Sequence, residues 1–359
     1  LHLHGGRAVI NGTIEALAKL PGFRPAEAGE FTRRAFNNDK LDLAEVEGLS
    51  DLIAAETEAQ RKQAIRQMDG QLSRLVEGWR HTLVRTLAYL EVEIDFPEDE
   101  LEEGISDQVT HNIKSLSQEI NQHLDDGHRG ERLRDGISIA IVGPPNAGKS
   151  SLLNALARRE VAIVSDIAGT TRDIIEVHLD LSGYPVIVSD TAGLRDIEAH
   201  TTDGIELEGI RRAKSHAENA DLKLAVFDIK DQNNLDPETL KILETGKSLV
   251  LLNKCDDKLR SLNSLAINNT DLDILAISTK TGDGIDTLLK SLNSWVIDNM
   301  GISGASSSVT RQRHRSALID CNDALIRAQN VPLPELCAED LRLAARHLGR
   351  ITGKVDVEE

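Results

Sequence analysis

In two stretches of the chain, hydrophobic residues recur every three or four positions, the period of a helix with one apolar face. The first stretch covers residues 41–128, and its longest helix is predicted to end at Pro97 because proline cannot continue a helix. The second covers residues 311–351. Each apolar face needs a partner, so the pattern predicts one helical domain built from two separated segments. The repeating residues are Leu72, Leu75, Val76, Trp79, Leu83, Leu87, Leu90 and Ile94 in the first stretch and Leu318, Ile319, Leu325, Leu341, Ala344 and Leu348 in the second.

Between these stretches the pattern changes to short, continuous apolar runs, which are typical of the buried strands of a parallel sheet. The runs are residues 137–142, 161–164, 186–188, 249–252 and 274–277. The predicted fold class is therefore an α/β domain with a mostly parallel sheet, inserted into a discontinuous all-α domain. The predicted divisions are an N-terminal remnant at residues 1–36, a first helical segment at 37–134, the α/β domain at 135–300 and a second helical segment at 301–359.

The first apolar run leads directly into residues 143–150, with the sequence GPPNAGKS, which is a complete phosphate-binding loop. In such a loop the backbone N–H groups surround nucleotide phosphates, and the following helix, here residues 151–156, directs its positive end at them. Lys149 is expected to reach the β and γ phosphates, and Ser150 to bind Mg²⁺. A strand before the loop and a helix after it favour this interpretation over an ordinary glycine-rich turn.

Four further motifs follow the other apolar runs, in the order expected for a guanine-nucleotide site. Residues 169–173 offer threonine hydroxyls to Mg²⁺ and the γ phosphate, and Asp190 can hold the Mg²⁺ water shell. The carboxylate of Asp256 can accept hydrogen bonds from the guanine ring, whereas adenine offers no matching pair of donors. Each motif is weak alone, but together they predict GTP binding. The predicted nucleotide-binding residues are Asn146, Ala147, Gly148, Lys149, Ser150, Ser151, Gly169, Thr170, Thr171, Asp190, Thr191, Ala192, Gly193, Asn253, Lys254, Asp256, Ser278, Thr279 and Lys280.

The charge balance limits how the protein can contact nucleic acid. The chain of 359 residues has a net charge of −18, which argues against a broad electrostatic footprint for RNA and leaves room only for a local one. The one dense basic stretch is residues 311–315, with the sequence RQRHR. Two interpretations of it stay open, a solvated helix face and an RNA-binding patch.

The length of the apolar runs and the spacing of the cysteines predict where the protein is located and whether its thiols are reduced. No apolar run approaches the roughly 18 to 20 residues of a membrane span, and the N-terminus does not resemble a signal peptide, so a cytoplasmic location is expected. Cys255, Cys321 and Cys337 are widely spaced, which predicts reduced thiols rather than disulfides or a zinc site.

The catalytic machinery differs from the Ras-like arrangement, in which a glutamine after the second switch motif orients the attacking water. Leu194 stands at that position and cannot do so. An arginine finger contributes about 10³ to 10⁵ in rate, or roughly 4 to 7 kcal/mol, and a substitute must supply something comparable. A bound monovalent cation is one candidate, with the side-chain carbonyl of Asn146 as a ligand. The alternative is that Asn146 satisfies the N–H groups of its own loop.

Several segments together resemble the MnmE (TrmE) family of tRNA-uridine modification GTPases. They are residues 29–36 (GEFTRRAF) and 38–43 (NDKLDL), together with the phosphate loop, residues 166–173 (DIAGTTRD) and residues 190–195 (DTAGLR). The GTPase motifs alone are shared with ribosome-assembly GTPases of the Era and Der type. The segment from residue 29 to residue 43 and the split helical domain make the resemblance specific.

The resemblance implies that residues 1–36 are a remnant of a folate-binding α+β domain, and that the protein is a homodimer. It implies a flavoprotein partner, MnmG, with which the enzyme forms an aminomethyl-type group, such as carboxymethylaminomethyl, on C5 of the wobble uridine of certain tRNAs. A 5-formyl- or methylene-tetrahydrofolate supplies the carbon, and GTP hydrolysis depends on K⁺. Lys40 matches a folate contact. The residues implied by motif are Asn146, Ser165, Ile167 and Thr170 for K⁺, Ser150 and Thr171 for Mg²⁺, and Ser165, Asp166, Ile167 and Ala168 as further nucleotide contacts.

The glutamate that orients the attacking water in the family is best matched by Glu206. Glu198 and Glu208 are competitors, and a plain exposed carboxylate is a further alternative. Two other functions stay open, a ribosome-assembly GTPase and a regulatory GTP switch without modification chemistry. The acidic balance and the helical stretch from residue 311 argue against the first.

Overall fold

The computed structural model describes residues 1–95, 105–163, 176–190, 218–232, 234–244, 246–256, 274–300 and 309–354. Its longer helices lie before and after a segment that forms a sheet. The helices are α1 (Arg7–Ala18), α2 (Glu30–Asn37), α3 (Leu43–Ala54), α4 (Glu58–Met68), α5 (Gln71–Asp95), α6 (Ile105–Leu124), α7 (Arg129–Asp135), α8 (Lys149–Ala157), α9 (Pro237–Leu243), α10 (Ile285–Met300), α11 (Gln312–Asn330) and α12 (Pro334–Thr352).

Helices α5 and α6, which precede the sheet, share one hydrophobic core with α11 and α12, which follow it. Leu72 and Trp79 of α5 lie in this core with Ile120 of α6, Leu318 of α11 and Leu348 of α12. The two apolar stripes are therefore partners, as their pattern predicts.

Two residues of the predicted stripes are exposed instead. Ile319 is 42% exposed, because the buried face of α11 passes through Leu318, Cys321 and Leu325, and Ile319 lies about 100° around the helix from Leu318. Ile94 is 37% exposed in the last turn of α5, beyond the final buried residue, Leu90.

Within the described residues the sheet has six strands in the order β2-β3-β1-β4-β5-β6, and all neighbours are parallel except β2 and β3. The predicted mostly parallel sheet is thus confirmed. The run at residues 161–164 does not become a strand where it is described, since only Ala162 forms an isolated bridge, to Leu179. The strands are β1 (Ile137–Val142), β2 (Glu176–Leu181), β3 (Tyr184–Asp190), β4 (Leu222–Asp228), β5 (Lys247–Asn253) and β6 (Ile274–Ala276).

Because β1, β3, β4, β5 and β6 run in the same direction, their carboxyl ends meet at one edge of the sheet. Apolar residues cover both faces, so the strands themselves are buried. In open parallel sheets, ligands bind at this carboxyl edge.

Helix α4 connects the helical core to the chain segments that enter and leave the sheet. Gln60 Nε2 donates to the carbonyl of Arg134, just before β1, at 3.0 Å. Gln67 Oε1 accepts from Thr310 Oγ1, just before α11, at 2.6 Å. Gln60 and Gln67 lie two turns apart on the same face of α4, so one helix face holds both connections.

The basic stretch at residues 311–315 faces other helices, and both interpretations offered by the sequence are wrong. Its charged side chains are buried or half-buried against carboxylates of α3 and of the segment around α7. The stretch is therefore a structural ion-pair network that joins α11 to elements far away in sequence. The ion pairs are Arg311–Asp51 (2.5 Å), Arg313–Glu47 (2.6 Å), Arg315–Asp126 (2.6 Å) and Arg315–Glu131 (3.1 Å), and Nε2 of His314 lies 3.0 Å from Glu47.

Candidate nucleotide-binding site

The loop at residues 143–150 lies between β1 and α8, at the carboxyl edge of the sheet. Gly143 has φ +150°, and an added Cβ would lie 2.2 Å from the carbonyl oxygen of Val226. Gly148 has φ +101°, and an added Cβ would lie 2.1 Å from Nδ2 of Asn253. Both positions therefore require glycine, because any side chain would force the loop away from the neighbouring strands.

The ammonium group of Lys149 lies inside this loop. Lys149 is buried, and its Nζ donates to the carbonyls of Gly143, at 2.9 Å, and Pro144, at 2.8 Å. The first turn of α8 begins at Lys149 and includes the exposed Ser151. A cation next to the N-terminal end of a helix creates a positive local field, which suits a phosphate group.

Ser150 and Asp190 bring two oxygen ligands together beside the loop. Ser150 Oγ donates to Asp190 Oδ2 at 2.6 Å, and Asp190 is buried at the end of β3. A hydroxyl and a carboxylate oxygen are ligands that Mg²⁺ accepts, directly or through water, so these residues fit the ion.

Asn253, the last residue of β5, joins two loops with its side-chain amide. Its Nδ2 donates to the carbonyl of Ala147 at 2.9 Å, and its Oδ1 accepts from the backbone N–H of Thr279 at 3.1 Å. Asn253 is completely buried, and these two hydrogen bonds satisfy both ends of its amide within the protein. The phosphate loop is thereby fixed to the two loops that follow β5 and β6.

Asp256, the predicted guanine-recognising residue, lies in the same place. Its Oδ1 accepts from Ser278 Oγ at 2.5 Å, and its Oδ2 lies 3.9 Å from Nζ of Lys280. The Ser278 hydroxyl therefore orients the carboxylate, while the second carboxylate oxygen faces a mostly exposed lysine.

Lys254 makes a further connection, to a residue that the sequence analysis missed. Its Nζ donates to the carbonyl of Asn146 at 2.7 Å and to Oδ2 of Asp228 at 2.8 Å. Burial would raise the pKa of Asp228, but the hydrogen bonds from Lys254 and from the backbone N–H of Lys230 outweigh it and hold that pKa below its usual value. The available signal was an aspartate after the apolar run at residues 224–227, which ends at the same sheet edge as the other motifs.

Asn146 has the left-handed backbone conformation, with φ +60°, and its side chain is exposed. Its carbonyl accepts the bond from Lys254, whereas its side chain makes no hydrogen bond within the described chain. Whether this side chain binds a cation or the N–H groups of its own loop stays a prediction.

Other predicted site residues lie outside the described residues. They are Ser165, Asp166, Ile167, Ala168, Gly169, Thr170, Thr171, Thr191, Ala192, Gly193, Leu194 and the glutamates Glu198, Glu206 and Glu208. Lys40 is described, and it is exposed in the turn between α2 and α3, where its backbone N–H donates to the carbonyl of Ala35 at 2.9 Å.

The three cysteines are free and buried, as the spacing predicts. Burial raises the pKa of each thiol, in Cys321 to about 12. The described residues hold no group of three or more histidine, cysteine or acidic side chains arranged to bind a metal ion. Across the same described ranges, no helix combines the length and the apolar character needed to cross a membrane.

Known proteins match the whole length of this sequence. The family model described as the MnmE helical domain matches residues 43–359, and that described as the N-terminus of the GTP-binding protein TrmE matches residues 1–40. The tRNA modification GTPase MnmE of Rhodospirillum rubrum is 52% identical over 361 residues, which cover 100% of this chain and 77% of the relative.

A mitochondrial human relative, 5-taurinomethyluridine-[tRNA] synthase subunit GTPB3, is 46% identical over 100% of this chain and 74% of its own length. A crystal structure of Era from Aquifex aeolicus bound to GDP·AlF4⁻ is 25% identical, with a TM-score of 0.34 over 55% of this chain and 69% of that chain. From the family models and the sequence relatives, we conclude that the chain belongs to the MnmE family.

Proposed function

We propose that the chain hydrolyses GTP at the carboxyl edge of its sheet and that this activity serves tRNA modification. The observation that carries the proposal is the direct bonding of the base-recognition motif to the phosphate loop, through Asn253 to Ala147 and Lys254 to Asn146. These bonds support the proposal because they would hold the guanine-recognising carboxylate at a fixed distance from the phosphate loop, as nucleotide binding requires. Membership of the MnmE family, whose bacterial relatives are named tRNA modification GTPases, supports the choice of process.

Within this site, each described residue has a role that its position supports. Lys149 and the backbone N–H groups of the phosphate loop would bind the phosphates, since the ammonium already lies inside the loop. Asp256, held by Ser278, would accept hydrogen bonds from guanine. Lys280 would close over the base through its backbone N–H group, whereas the backbone N–H of Thr279 already donates to Asn253.

Ser150 and Asp190 would hold Mg²⁺, together with Thr171. The ion, when bound, would offset phosphate charge that develops during hydrolysis. Asn146 is an exposed residue of the phosphate loop, and its amide oxygen would be a ligand of K⁺, which would stand where other GTPases use an arginine finger. The remaining proposed K⁺ ligands are Ser165, Ile167 and Thr170, and Glu206 is proposed to orient the attacking water.

The family resemblance supports the further proposal that the protein acts as a homodimer with the flavoprotein MnmG. The pair would build the C5 substituent of the wobble uridine in tRNA, with a tetrahydrofolate as carbon donor and Lys40 as a folate contact. Lys40 is exposed between α2 and α3, where a cofactor can reach it.

The test is the wobble-uridine nucleoside content of cells that lack the protein and carry plasmids for the wild type, Lys149→Ala or Arg158→Ala. Arg158 is an exposed cation at the other end of α8, so its variant is a matched control for charge. We expect the wild type and Arg158→Ala to restore the C5-modified nucleosides, measured by mass spectrometry, and Lys149→Ala not to restore them.

Unchanged C5 modification on deletion, with GTP turnover intact in the purified protein, would refute a role in modification and favour a regulatory switch. For the cation, we expect GTP turnover to be faster in KCl than in NaCl and Asn146→Ala to remove most of that difference. Equal turnover in the two salts would exclude the proposed K⁺ site.

A further inference from the structure

We propose that Asp228 is a positioning residue of the nucleotide site, which holds Lys254 in place and so fixes the base-recognition loop against the phosphate loop. The inference rests on the proposed GTP site. It adds a residue that belongs to none of the five sequence motifs.

The fold brings Asp228 to the site through strand register. Asp228 ends β4 and pairs with Asn253 at the end of β5, so the residue after Asn253, Lys254, begins next to it. Both strands end at the carboxyl edge, where the phosphate loop follows β1.

The two carboxylate oxygens of Asp228 have different partners. Oδ1 accepts from the backbone N–H of Lys230 at 3.0 Å, which fixes the orientation of the carboxylate. Oδ2 then faces Nζ of Lys254 at 2.8 Å. The Asp228 side chain is only 15% exposed, so water competes little for this oxygen.

Lys254 needs such a partner because its backbone conformation is unusual and its side chain is flexible. Its backbone is left-handed, with φ +65°, which is uncommon for a residue with a long side chain. Its side chain is 43% exposed and has many rotamers, so a single bond to the carbonyl of Asn146 would hold it weakly. With Asp228 as the second acceptor, the ammonium bridges β4 and the phosphate loop.

The position of Lys254 also affects Asp256, the guanine-recognising carboxylate, because the two residues belong to the same short loop. Lys254 lies between Asn253, which is bonded to Ala147 and Thr279, and Asp256, which is bonded to Ser278. Release of Lys254 would loosen the middle of this loop and the carbonyl of Asn146 at the same time. Nucleotide affinity should fall even though Asp228 itself touches neither base nor phosphate.

The test is a double-mutant cycle on the affinity for fluorescent mant-GDP, with the full chain in four forms: wild type, Asp228→Asn, Lys254→Met and the combination. Asparagine keeps the shape of Asp228 and removes its charge, and methionine keeps the stem of Lys254 and removes its ammonium. Asp231→Asn is the matched control, since it removes one exposed carboxylate three residues further along.

We expect Asp228→Asn to weaken mant-GDP binding by about 10-fold, the scale of a hydrogen bond to a charged group reduced by solvent exposure. Asp231→Asn should stay within about twofold of the wild type. The double variant should bind no more weakly than Lys254→Met alone, because a residue that acts only through Lys254 has nothing left to act on. A general loss of structure would not give this pattern.

Wild-type affinity retained in Asp228→Asn would overturn the inference, as would losses that multiply in the double variant. If the wild type itself does not bind mant-GDP, the proposed GTP site is refuted. This result differs from a failure of the inference about Asp228, in which the wild type binds and Asp228→Asn binds equally well. Thermal unfolding of each variant, expected to match the wild type, confirms that the comparison is made between folded proteins.

Discussion

Neutralising Glu47 should destabilise the helical core, because this carboxylate on α3 is the partner of cationic and polar groups on α11. Glu47 accepts two bonds from Arg313, from Nε at 2.6 Å and Nη2 at 2.7 Å, and lies 3.0 Å from Nε2 of the fully buried His314. Glu47→Gln keeps the shape and removes the charge. Arg313 then loses its bidentate partner.

The magnitude follows from the pKa of Glu47. Burial would raise this pKa, but the hydrogen bonds from His314 and Arg313 outweigh burial and lower it from 4.5 to about 2. At about 1.4 kcal/mol for each pKa unit, the charged form contributes about 3 kcal/mol to the free energy of unfolding at neutral pH. The side chain is only 16% exposed, so solvent screening reduces this figure little.

The sign of the pH dependence follows from the lowered pKa. The stabilisation is fully present above pH 4.5, the pKa expected in the unfolded chain, and is lost as the pH falls from 4.5 toward 2. Burial also lowers the pKa of His314 below 6.5, so the stability that comes from keeping this histidine neutral is lost as the pH falls below 6.5, before Glu47 titrates. The difference between wild type and Glu47→Gln should therefore narrow only below pH 4.5.

The assay is urea unfolding followed by fluorescence in a Trp295→Phe background. The chain has two tryptophans, so this substitution leaves Trp79 alone, and its fluorescence reports on the helical core. The control is Glu58→Gln. Hydrogen bonds from Arg61 lower the pKa of Glu58 to about 2 as well, but the pair is half exposed and its loss should not be measurable. Equal effects of the two substitutions would refute the argument from burial.

Two further predictions concern the site and the thiols. Gly148→Ala should weaken guanine-nucleotide binding by roughly 100-fold, because its Cβ would displace Asn253 from Ala147. Gly246→Ala is the control and should leave the affinity unchanged, since Gly246 has φ +78° as well but open space around it. Equal affinities of the two variants in a mant-GDP titration would contradict this prediction. Cys321 should react with DTNB at pH 8 only as fast as the protein unfolds, because burial raises the pKa of its thiol to about 12 and leaves almost no thiolate. Rapid labelling of Cys321 in the native protein would contradict this and show that the helical core opens locally around Cys321.

The sequence predicted those features of the site that consist of one contiguous segment. The loop at residues 143–150 needs its glycines for local backbone geometry. Asn253 directly follows an apolar run, and Asp190 and Asp256 lie two and four residues after one. In a parallel sheet, strand ends meet at one edge regardless of strand order, so motif positions are sufficient to place them together.

The partners of these residues could not be predicted in the same way. Asp228 meets Lys254 only because β4 pairs with β5 in a particular register. The run at residues 161–164 looks like a strand, yet where it is described it forms only one bridge to β2, with backbone hydrogen bonds from Ile163 to His178 and from Asp180 to Val161.

The helical stripes, the phosphate loop and the family could all be predicted from the sequence, since each of these is a property of residues close together in the chain. The role of the basic residues around Arg313, by contrast, depends on how the helices pack. Their carboxylate partners are up to 267 positions away in the chain, and no local pattern distinguishes an arginine that faces solvent from one that faces Glu47. Charge shows that a residue needs a polar partner, whereas packing determines whether that partner is water, RNA or another helix.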